Sequence, residues 1–482
     1  METTENTTNH EQKDSSQIVL EKAELLSDLD IDWNFLKLLP WFDGVEIRSW
    51  FFSAKYFVNT AKMVEDIPDK EQQVVMQIFQ KSSNAIIAWV EIVRNLVKLM
   101  SGYYKNETLA SKLLERYMEL KQESKILQEK MSLDNNFQDE AINKNVELLN
   151  IKKRLDALWV PAWNQVQVEI CKKDGDISEK FAPVIKIIWP YKVFAKLESV
   201  YLWLLARTTK VATNTAKVVE AAKWKPVIFF ADRFDYFGTQ NIDGYAAMLG
   251  GAKWLATDAQ AFALNKKWQW TMPHASIAIF DGDTAKATLE FAKKNPDVPL
   301  ISLVDFDNNC TETAVRTAEF LKNHWYDLNA VRLDTSGSMV DEWLLMSSIL
   351  EENFSDKECQ LIRDEYLFNK ENDVVINNSL FSEDTLKILK EAWLTGVCIP
   401  LVNLVRQKLD EAGFFNIKIF VSWWFTAEKI QKFEQTRVPV DWYGIWSTLL
   451  TPKYVSDNWD FTADIVNVNW TPVSKKWRKE YF

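Results

Sequence analysis

From about residue 187 onward, short apolar runs rich in β-branched residues alternate with helical stretches, and this alternation constrains the fold more than any other feature. Continuous apolar strands separated by helices are typical of a parallel sheet that is buried on both faces. No second series of strands follows that could build another sheet. We therefore predict an α/β fold whose main part is an irregular (β/α) barrel. The strand runs are PVIFFADR (226–233), VPLISLVDFD (298–307), LNAVRLDTSGS (328–338), IKIFVSWW (417–424) and PVDWYGIW (439–446).

The chain before the barrel is organised differently. Residues 1–16 are polar, and we expect them to form a disordered tail. Residues 17–186 predict an N-terminal α/β domain, with β-type residues over 43–60 and a buried strand followed by a helix over 71–100. The barrel is expected over 187–455.

Residues 104–158 interrupt the N-terminal domain. They contain no Gly or Pro, and Leu, Ile and Met recur at roughly three- and four-residue spacing. This pattern predicts two long helices broken near Leu133. We expect a helical insertion that covers one edge of the domain, although a hairpin that binds a partner would give the same pattern. The last segment, 456–482, is expected to return to the N-terminal domain.

The composition is that of a globular protein, with 47% hydrophobic and 26% charged residues. A net charge of −11 argues against a broad nucleic-acid surface, so an anionic substrate would need local positive groups. Four scattered cysteines without CxxC spacing fit a reducing cytoplasm. The first residues do not resemble a signal peptide, and no apolar run reaches membrane-spanning length. We expect a cytoplasmic protein without a membrane partner.

Glycine is rare in this chain and tryptophan is abundant. There are 12 Gly and 22 Trp, whereas glycine usually makes up about 7% of residues. Together they number 34 of 482 residues, which is close to that usual glycine share. The codon UGA is a stop in the standard code, but it encodes tryptophan in some lineages and glycine in others. We hypothesise that many of these tryptophans stand where the organism places glycine; the alternative is a protein that is rich in tryptophan.

Each predicted barrel strand ends on polar residues, and in parallel barrels these ends line the active site. Arginines among carboxylates suit an anionic substrate, because a guanidinium group binds carboxylate or phosphate. Carboxylates also suit Mg²⁺, which takes oxygen ligands and usually shares substrate phosphates. The residues at these ends are Asp232 and Arg233, Asp305 and Asp307, Arg332 and Asp334, Ser422, and Asp441.

Two late strands are followed by loops that become glycine-rich under the recoding hypothesis. Glycine at Trp423 and Trp424 gives VSGGF, and glycine at Trp442 and Trp446 gives DGYGIGSTLL. Such loops cradle phosphate with backbone N–H groups, and a Cβ would block the approach. As written, the indoles would fill the cradle. The same replacement gives turn-like segments at Trp189, Trp254, Trp268, Trp270 and Trp477, and no evident advantage at Trp33 or Trp163.

With these glycines the chain resembles nicotinate phosphoribosyltransferases, which are type II phosphoribosyltransferases. The landmarks run in order from Phe51 to the C-terminus, apart from the insertion: FFSAKYFVNT, LESVYLWLLA, TMPHA, LVDFD, AVRLDTSGS, SWWF and DWYGIWS. The resemblance implies an enzyme of NAD salvage that condenses nicotinate with phosphoribosyl pyrophosphate to nicotinate mononucleotide and pyrophosphate. It also implies ATP as co-substrate, a phosphohistidine, Mg²⁺, and a homodimer with shared active sites.

The resemblance also implies roles for individual residues. His274 in TMPHA matches the phosphorylated histidine, and Asp305 and Asp334 match catalytic carboxylates near the ribose and Mg²⁺. Tyr56 matches a tyrosine that stacks on the pyridine ring, which the neighbouring subunit can supply. Asn59 stands where we expect a basic residue. The implied substrate-binding residues are Tyr56, Thr60, Arg233, Thr271, Arg332, Ser422, Trp423, Trp424, Gly444 and Trp446.

Two other functions remain open. A nicotinamide-specific enzyme would place an aspartate rather than an arginine opposite the substrate's amide, and Arg233 favours a carboxylate instead. An inactive relative that binds a nucleotide or a partner gains weight if the tryptophans are real, because bulky side chains in both phosphate loops would obstruct the site.

Overall fold

The computed structural model describes residues 39, 42–65, 73–264, 271–376, 378–451, 459–476 and 478. The predicted disordered tail lies outside these residues, as do Trp33, Trp268, Trp270 and Trp477. The strands are β1 (Gln73–Gln80), β2 (Gly102–Tyr104), β3 (Trp159–Pro161), β4 (Gln167–Ile170), β5 (Pro183–Pro190), β6 (Val227–Phe229), β7 (Trp254–Leu255), β8 (Ile301–Leu303), β9 (Ala330–Leu333), β10 (Lys418–Val421), β11 (Trp442–Ile445), β12 (Phe461–Val468) and β13 (Thr471–Pro472).

Helices alternate with these strands along most of the chain. They are α1 (Gly44–Arg48), α2 (Lys55–Glu65), α3 (Val90–Met100), α4 (Glu107–Leu133), α5 (Gln138–Leu158), α6 (Glu198–Ala221), α7 (Gln240–Leu249), α8 (Asp258–Ala261), α9 (His274–Ile279), α10 (Thr284–Lys294), α11 (Cys310–Asn323), α12 (Glu342–Met346), α13 (Ser348–Asn353), α14 (Asp356–Glu371), α15 (Glu383–Glu391), α16 (Ile399–Glu411) and α17 (Ala427–Gln435).

A curled six-stranded sheet with the order β7-β6-β11-β10-β9-β8 forms the main part of the molecule. Every pair in it is parallel. The strands are apolar on both faces because helices cover the outside and the sheet curls around its own inner side chains. The predicted α/β fold with an irregular barrel is therefore confirmed, as a half-barrel. Strand β7 was interpreted as a turn, because two residues are too few to give a periodic pattern.

The inside of the half-barrel is filled by side chains from its strands. A buried cluster there contains Ile228, Phe230, Ala256, Ile301, Ala330 and Phe420. Three partly buried indoles pack against it, those of Trp254, Trp442 and Trp446. In parallel barrels the site lies at the carboxyl ends of the strands.

A second sheet, with the order β13-β12-β1-β5-β4, lies in the N-terminal part of the molecule. Strand β12 comes from the end of the chain and pairs antiparallel with β1, placing Ala463 opposite Ile78. Trp189 lies within β5 opposite Val74, so the turn expected there is wrong. The β-type segment 43–60 is also helical, as α1 and α2. Asp43 begins α1 by accepting the N–H groups of residues 45 and 46, and this cap overrides the β-branched residues.

The helical insertion is confirmed as the antiparallel pair α4 and α5. The break falls after Leu133, as the sequence predicted. The pair packs on α1 through buried side chains that include Leu113 and Leu120. Lys121 adds two ion pairs of 2.7 Å, to Asp43 and Glu46. Across the described ranges, no helix has the length and apolar character that a bilayer crossing requires.

Candidate active site

A cavity of about 600 Å³ opens at the carboxyl edge of the parallel sheet. This is the size of a small-molecule site. Two arginines, two carboxylates and an imidazole line it, which is the mixture expected for an anionic substrate. The functional residues along its wall are Asp232, Arg233, Thr271, His274, Arg332, Asp334 and Trp446. Six of these were predicted from the sequence as site residues, and Asp232 was noted only as a strand end.

His274 is hydrogen-bonded to Asp305, with its Nε2 atom 3.1 Å from the carboxylate Oδ2. Asp305 follows β8 and is buried, whereas the His274 side chain is 45% exposed to the cavity. The hydrogen bond to Asp305 raises the pKa of His274, and the charges of Asp305 and Asp334 act in the same direction, against burial and Arg332. Because Nε2 faces the carboxylate, Nδ1 is the ring nitrogen available to a substrate.

A buried polar group lies beside this pair. Arg332 Nη2 donates to Asp334 Oδ2 at 3.3 Å, and the hydroxyl of Ser422 donates to Asp334 Oδ1. Burial raises the pKa of Asp334, whereas the charge of Arg332 and the bond from Ser422 oppose that rise. Strands β9 and β10 are neighbours in the sheet, so their ends bring these three residues together.

Several buried polar atoms around the cavity have no hydrogen-bond partner among the described residues. They are Asp232 Oδ1, Asp305 Oδ1 and Arg332 Nε. A buried polar atom that is left unpaired costs about 1–3 kcal/mol, so a ligand that supplies partners would be favoured here. The two carboxylate oxygens suit a cation, and the guanidinium nitrogen suits an anion.

The indole of Trp446 occupies the space beside Arg233. The guanidinium carbon lies 4.4 Å from the centre of the indole ring. The same ring stacks on Phe230 at 5.1 Å between centroids, and its Nε1 is buried without a partner in the described chain. An anion that approaches Arg233 must therefore compete with this ring.

Trp423, Trp424 and Gly444 lie in or directly after the strands β10 and β11 but do not line the cavity. Trp423 and Trp424 follow β10, where Trp424 is 63% exposed. Gly444 lies inside β11. A Cβ at Gly444 would come within 2.8 Å of Phe230 and 2.9 Å of Phe420, so glycine is needed there for strand packing.

Tyr56 and Thr60 lie on α2, away from the wall of the cavity. Tyr56 is 64% exposed, and the Thr60 hydroxyl donates to the Tyr56 carbonyl oxygen at 2.8 Å. Within one chain the cavity is thus formed without them. Their implied contribution to a site across a dimer stays a prediction.

The solved structures that are similar to this chain include the following two. The crystal structure of nicotinate-nucleotide pyrophosphorylase from Pyrococcus furiosus has a TM-score of 0.57 and 22% identity, over 89% of this chain and 78% of the other. The crystal structure of human nicotinic acid phosphoribosyltransferase has a TM-score of 0.51 and 13% identity, over 87% of this chain and 75% of the other. The chain shares their fold. No family model and no curated protein matches it.

The resemblance inferred from the sequence is therefore confirmed at the level of the fold. A shared fold does not carry a substrate with it, so function has to be argued from the cavity. No cluster of three or more His, Cys, Asp or Glu that could hold a metal by itself occurs in the described ranges. Of the two carboxylates expected to hold Mg²⁺, Asp305 has an unpaired buried oxygen, whereas both oxygens of Asp334 accept hydrogen bonds, so substrate phosphates would have to supply most of the ligands.

The sequence reading missed part of the cavity wall. Asp232 could have been included, because it precedes Arg233 at the same strand end. Phe291 and Asn295 also line the cavity, from the end of α10 and the residue that caps it. No motif marks them, since they reach the site only through the packing of that helix on the sheet.

Proposed function

We propose that this chain is a phosphoribosyltransferase that condenses nicotinate with phosphoribosyl pyrophosphate, giving nicotinate mononucleotide and pyrophosphate. The observation that carries the proposal is the meeting of Arg233, Arg332, Asp334 and His274 in one cavity at the carboxyl edge of the sheet. The fold shared with the two solved structures supports it, as does the order of the sequence landmarks.

The two guanidinium groups would divide the negative charges of the substrates. Arg233 is the candidate for the nicotinate carboxylate, because a planar guanidinium pairs with a carboxylate through two parallel hydrogen bonds. Arg332 is held by Asp334 and is the candidate for the phosphoribosyl group. This division favours nicotinate over nicotinamide, whose amide carries no charge.

The carboxylates would act where positive charge develops. The bond from the anomeric carbon to pyrophosphate breaks as the pyridine nitrogen forms its bond, and the ribose gains oxocarbenium character. Asp305 and Asp334 would stabilise that charge directly, and they would also hold a Mg²⁺ ion that is shared with the substrate phosphates. When bound, Mg²⁺ would neutralise charge on the leaving pyrophosphate. Positioning of the two substrates in a walled cavity would supply much of the remaining rate.

His274 is the proposed acceptor of a phosphoryl group from ATP. Asp305 orients the ring through Nε2, so Nδ1 carries the lone pair that would attack. The N–P bond forms as the bond to the leaving oxygen breaks, and ADP departs. The bound phosphoryl group would add negative charge beside Arg332, which offers a physical route from ATP hydrolysis to a reorganised substrate site.

The proposal also includes a homodimer with shared sites. A groove lined by Phe52, Trp203 and Tyr236 carries exposed aromatic side chains, and Tyr56 is exposed on the neighbouring helix α2. Contiguous exposed aromatic surface marks an interaction site. If Tyr56 serves the partner's cavity, mixing Tyr56→Ala with His274→Ala protein should restore activity that neither variant has alone. Mixed dimers seen by native mass spectrometry without any activity would contradict the shared site.

The substrate assignment is tested with protein purified from its own host. Turnover of nicotinate should exceed that of nicotinamide, and Arg233→Ala should raise the KM for nicotinate by a factor of roughly 10–100, the value of a charge-assisted hydrogen bond. The KM for phosphoribosyl pyrophosphate should change far less. Equal turnover of both pyridines in the unmodified protein would overturn the assignment to nicotinate.

A further inference from the structure

Tryptophan in this chain has the backbone conformation of glycine. Eight of the 17 tryptophans in the described residues have a positive φ, between 52° and 89°. Six of the 12 glycines do so as well, whereas among the phenylalanines and tyrosines of the described ranges only Phe181 does. A bulky L-residue meets a steric penalty in this region, and glycine does not. The eight are Trp50, Trp89, Trp224, Trp325, Trp393, Trp423, Trp459 and Trp470.

Two of these tryptophans end helices in the way that glycine does. Trp325 follows α11 with φ 66°; its N–H donates to Lys322, and the next residue donates to the carbonyl of Leu321. This pair of hydrogen bonds is the Schellman motif, whose left-handed position is usually glycine. Trp393, after α15, has the same motif with φ 60°. Its N–H donates to the carbonyl of Lys390, and the N–H of the next residue donates to the carbonyl of Leu389.

The same motif occurs in this chain with glycine. Gly413 after α16 has φ 82° and donates to Asp410, and the following residue donates to the carbonyl of Leu409. Gly251 after α7 repeats it with φ 97°. Trp325 and Trp393 therefore occupy the position that Gly413 and Gly251 occupy. The Trp325 side chain is 96% exposed, so no packing of its ring offsets the backbone cost.

The turn between β12 and β13 gives an independent example. Val468 pairs with Thr471, which leaves Asn469 and Trp470 as a two-residue loop. Their φ angles are 47° and 65°. Two left-handed residues in such a loop define a type I′ turn, for which Asn-Gly is the preferred sequence. The loop thus reads as Asn-Gly with tryptophan in the glycine position, and the ring of Trp470 is 74% exposed.

Other indoles are placed without a partner for their N–H group. The Nε1 atoms of Trp89, Trp446 and Trp459 are buried and unpaired within the described chain. Buried indoles normally find an acceptor, and an unpaired one costs stability. Trp89 and Trp459 combine this loss with a positive φ.

We propose that the native protein carries glycine at positions 325, 393, 423 and 470, because the organism reads the corresponding codon as glycine. Trp423 is included because its φ is 89°. It follows β10 at the edge of the candidate site. The inference is independent of the proposed function, since Trp325, Trp393 and Trp470 end helices or a hairpin. The same codon at position 446 would free the space beside Arg233.

The direct test is peptide mass spectrometry on protein isolated from the organism. Peptides spanning positions 325, 393, 423 and 470 should have the mass of glycine at those positions, and their fragment ions should place it there. Tryptophan at these four positions in the native peptides would overturn the proposal, and this outcome does not depend on whether the protein has the proposed activity.

A stability test on recombinant protein supplies a matched control. Trp393 and Trp203 are both 47% exposed, but Trp203 lies inside α6, where glycine is unfavourable. Trp393→Gly should raise the folding equilibrium constant roughly tenfold, the value of relieving a left-handed L-residue. Trp393→Ala should not, because alanine keeps the Cβ. Trp203→Gly should lower the constant. Equal losses from Trp393→Gly and Trp203→Gly would contradict a glycine site at 393.

Discussion

Replacing Trp446 by Gly should tighten nicotinate binding by roughly 5- to 30-fold. The Arg233 guanidinium lies 4.4 Å from the centre of the indole, well within range of a cation–π interaction. Such a contact is worth about 0.5–1 kcal/mol when exposed and about 2 kcal/mol when desolvated. A carboxylate that binds Arg233 must break this contact and displace the ring. Removing the indole should therefore make the free energy of nicotinate binding more favourable by about 1–2 kcal/mol.

The same substitution should change stability little. The indole loses its contacts with Phe230 and Arg233, and this loss is offset because its buried, unpaired Nε1, which costs about 1–3 kcal/mol, disappears with it. We therefore expect the Tm to stay within a few degrees of the parent value. Thermal unfolding followed by circular dichroism checks this point before binding is compared.

The assay is isothermal titration calorimetry with nicotinate at fixed salt concentration. Trp446→Phe is the control, because it keeps an aromatic ring near Arg233 and should bind with close to parent affinity. An unchanged or weaker affinity in Trp446→Gly, with Tm preserved, would refute the claim that the indole competes with the substrate for Arg233.

Three further outcomes follow from the charged and buried groups. Asp305→Asn removes the carboxylate that holds the pKa of His274 above its ordinary value, so proton NMR should show His274 titrating at lower pH; an unchanged pKa would contradict the pairing. In the parent chain this pair stabilises the fold fully below the ordinary histidine pKa and loses that effect as pH rises through the raised pKa. Ser422→Ala removes a bond that opposes protonation of Asp334, so the acid limb of the pH–rate profile should move to higher pH if Asp334 acts as a carboxylate; an unmoved limb would exclude that role. Burial, with the charge of Asp464, raises the pKa of Glu198 to about 8, so its stabilising contribution is complete below the unfolded-state pKa and is lost as pH rises to about 8. Urea unfolding, measured from about pH 5 to about pH 9, should show a free energy of unfolding that declines as the pH rises. Glu198→Gln should flatten this decline, and equal slopes in the two proteins would contradict the assignment.

The parallel half-barrel could be predicted from the sequence because its strands are buried on both faces. Continuous apolar runs such as 417–424 leave few other structures open. Strand β7 could not be found, since two residues carry no period. The segment 43–60 was misread for a different reason. Its β-branched residues suggest a strand, but Val45 and Ile47 are buried on a short helix whose start is fixed by the Asp43 cap.

The candidate site was predictable in part for the same geometrical reason. The carboxyl ends of parallel strands share an edge, so Arg233, Arg332 and Asp334 could be expected to lie together. The bond between His274 and Asp305 spans 31 residues and depends on how α9 packs beside β8, which no spacing rule supplies. The conformation of Trp325, Trp393 and Trp470 was equally invisible in the sequence, where only their number was unusual.

We propose above that the cavity around Arg233, Arg332 and Asp334 transfers a phosphoribosyl group to nicotinate. Phosphorus NMR of a reaction containing protein from its own host, nicotinate, phosphoribosyl pyrophosphate, Mg²⁺ and ATP tests it most directly. Nicotinate mononucleotide and pyrophosphate should appear in equal amounts, and Arg332→Ala or Asp334→Asn should remove both signals. Loss of phosphoribosyl pyrophosphate without formation of the mononucleotide, or no reaction by the folded native protein, would contradict it.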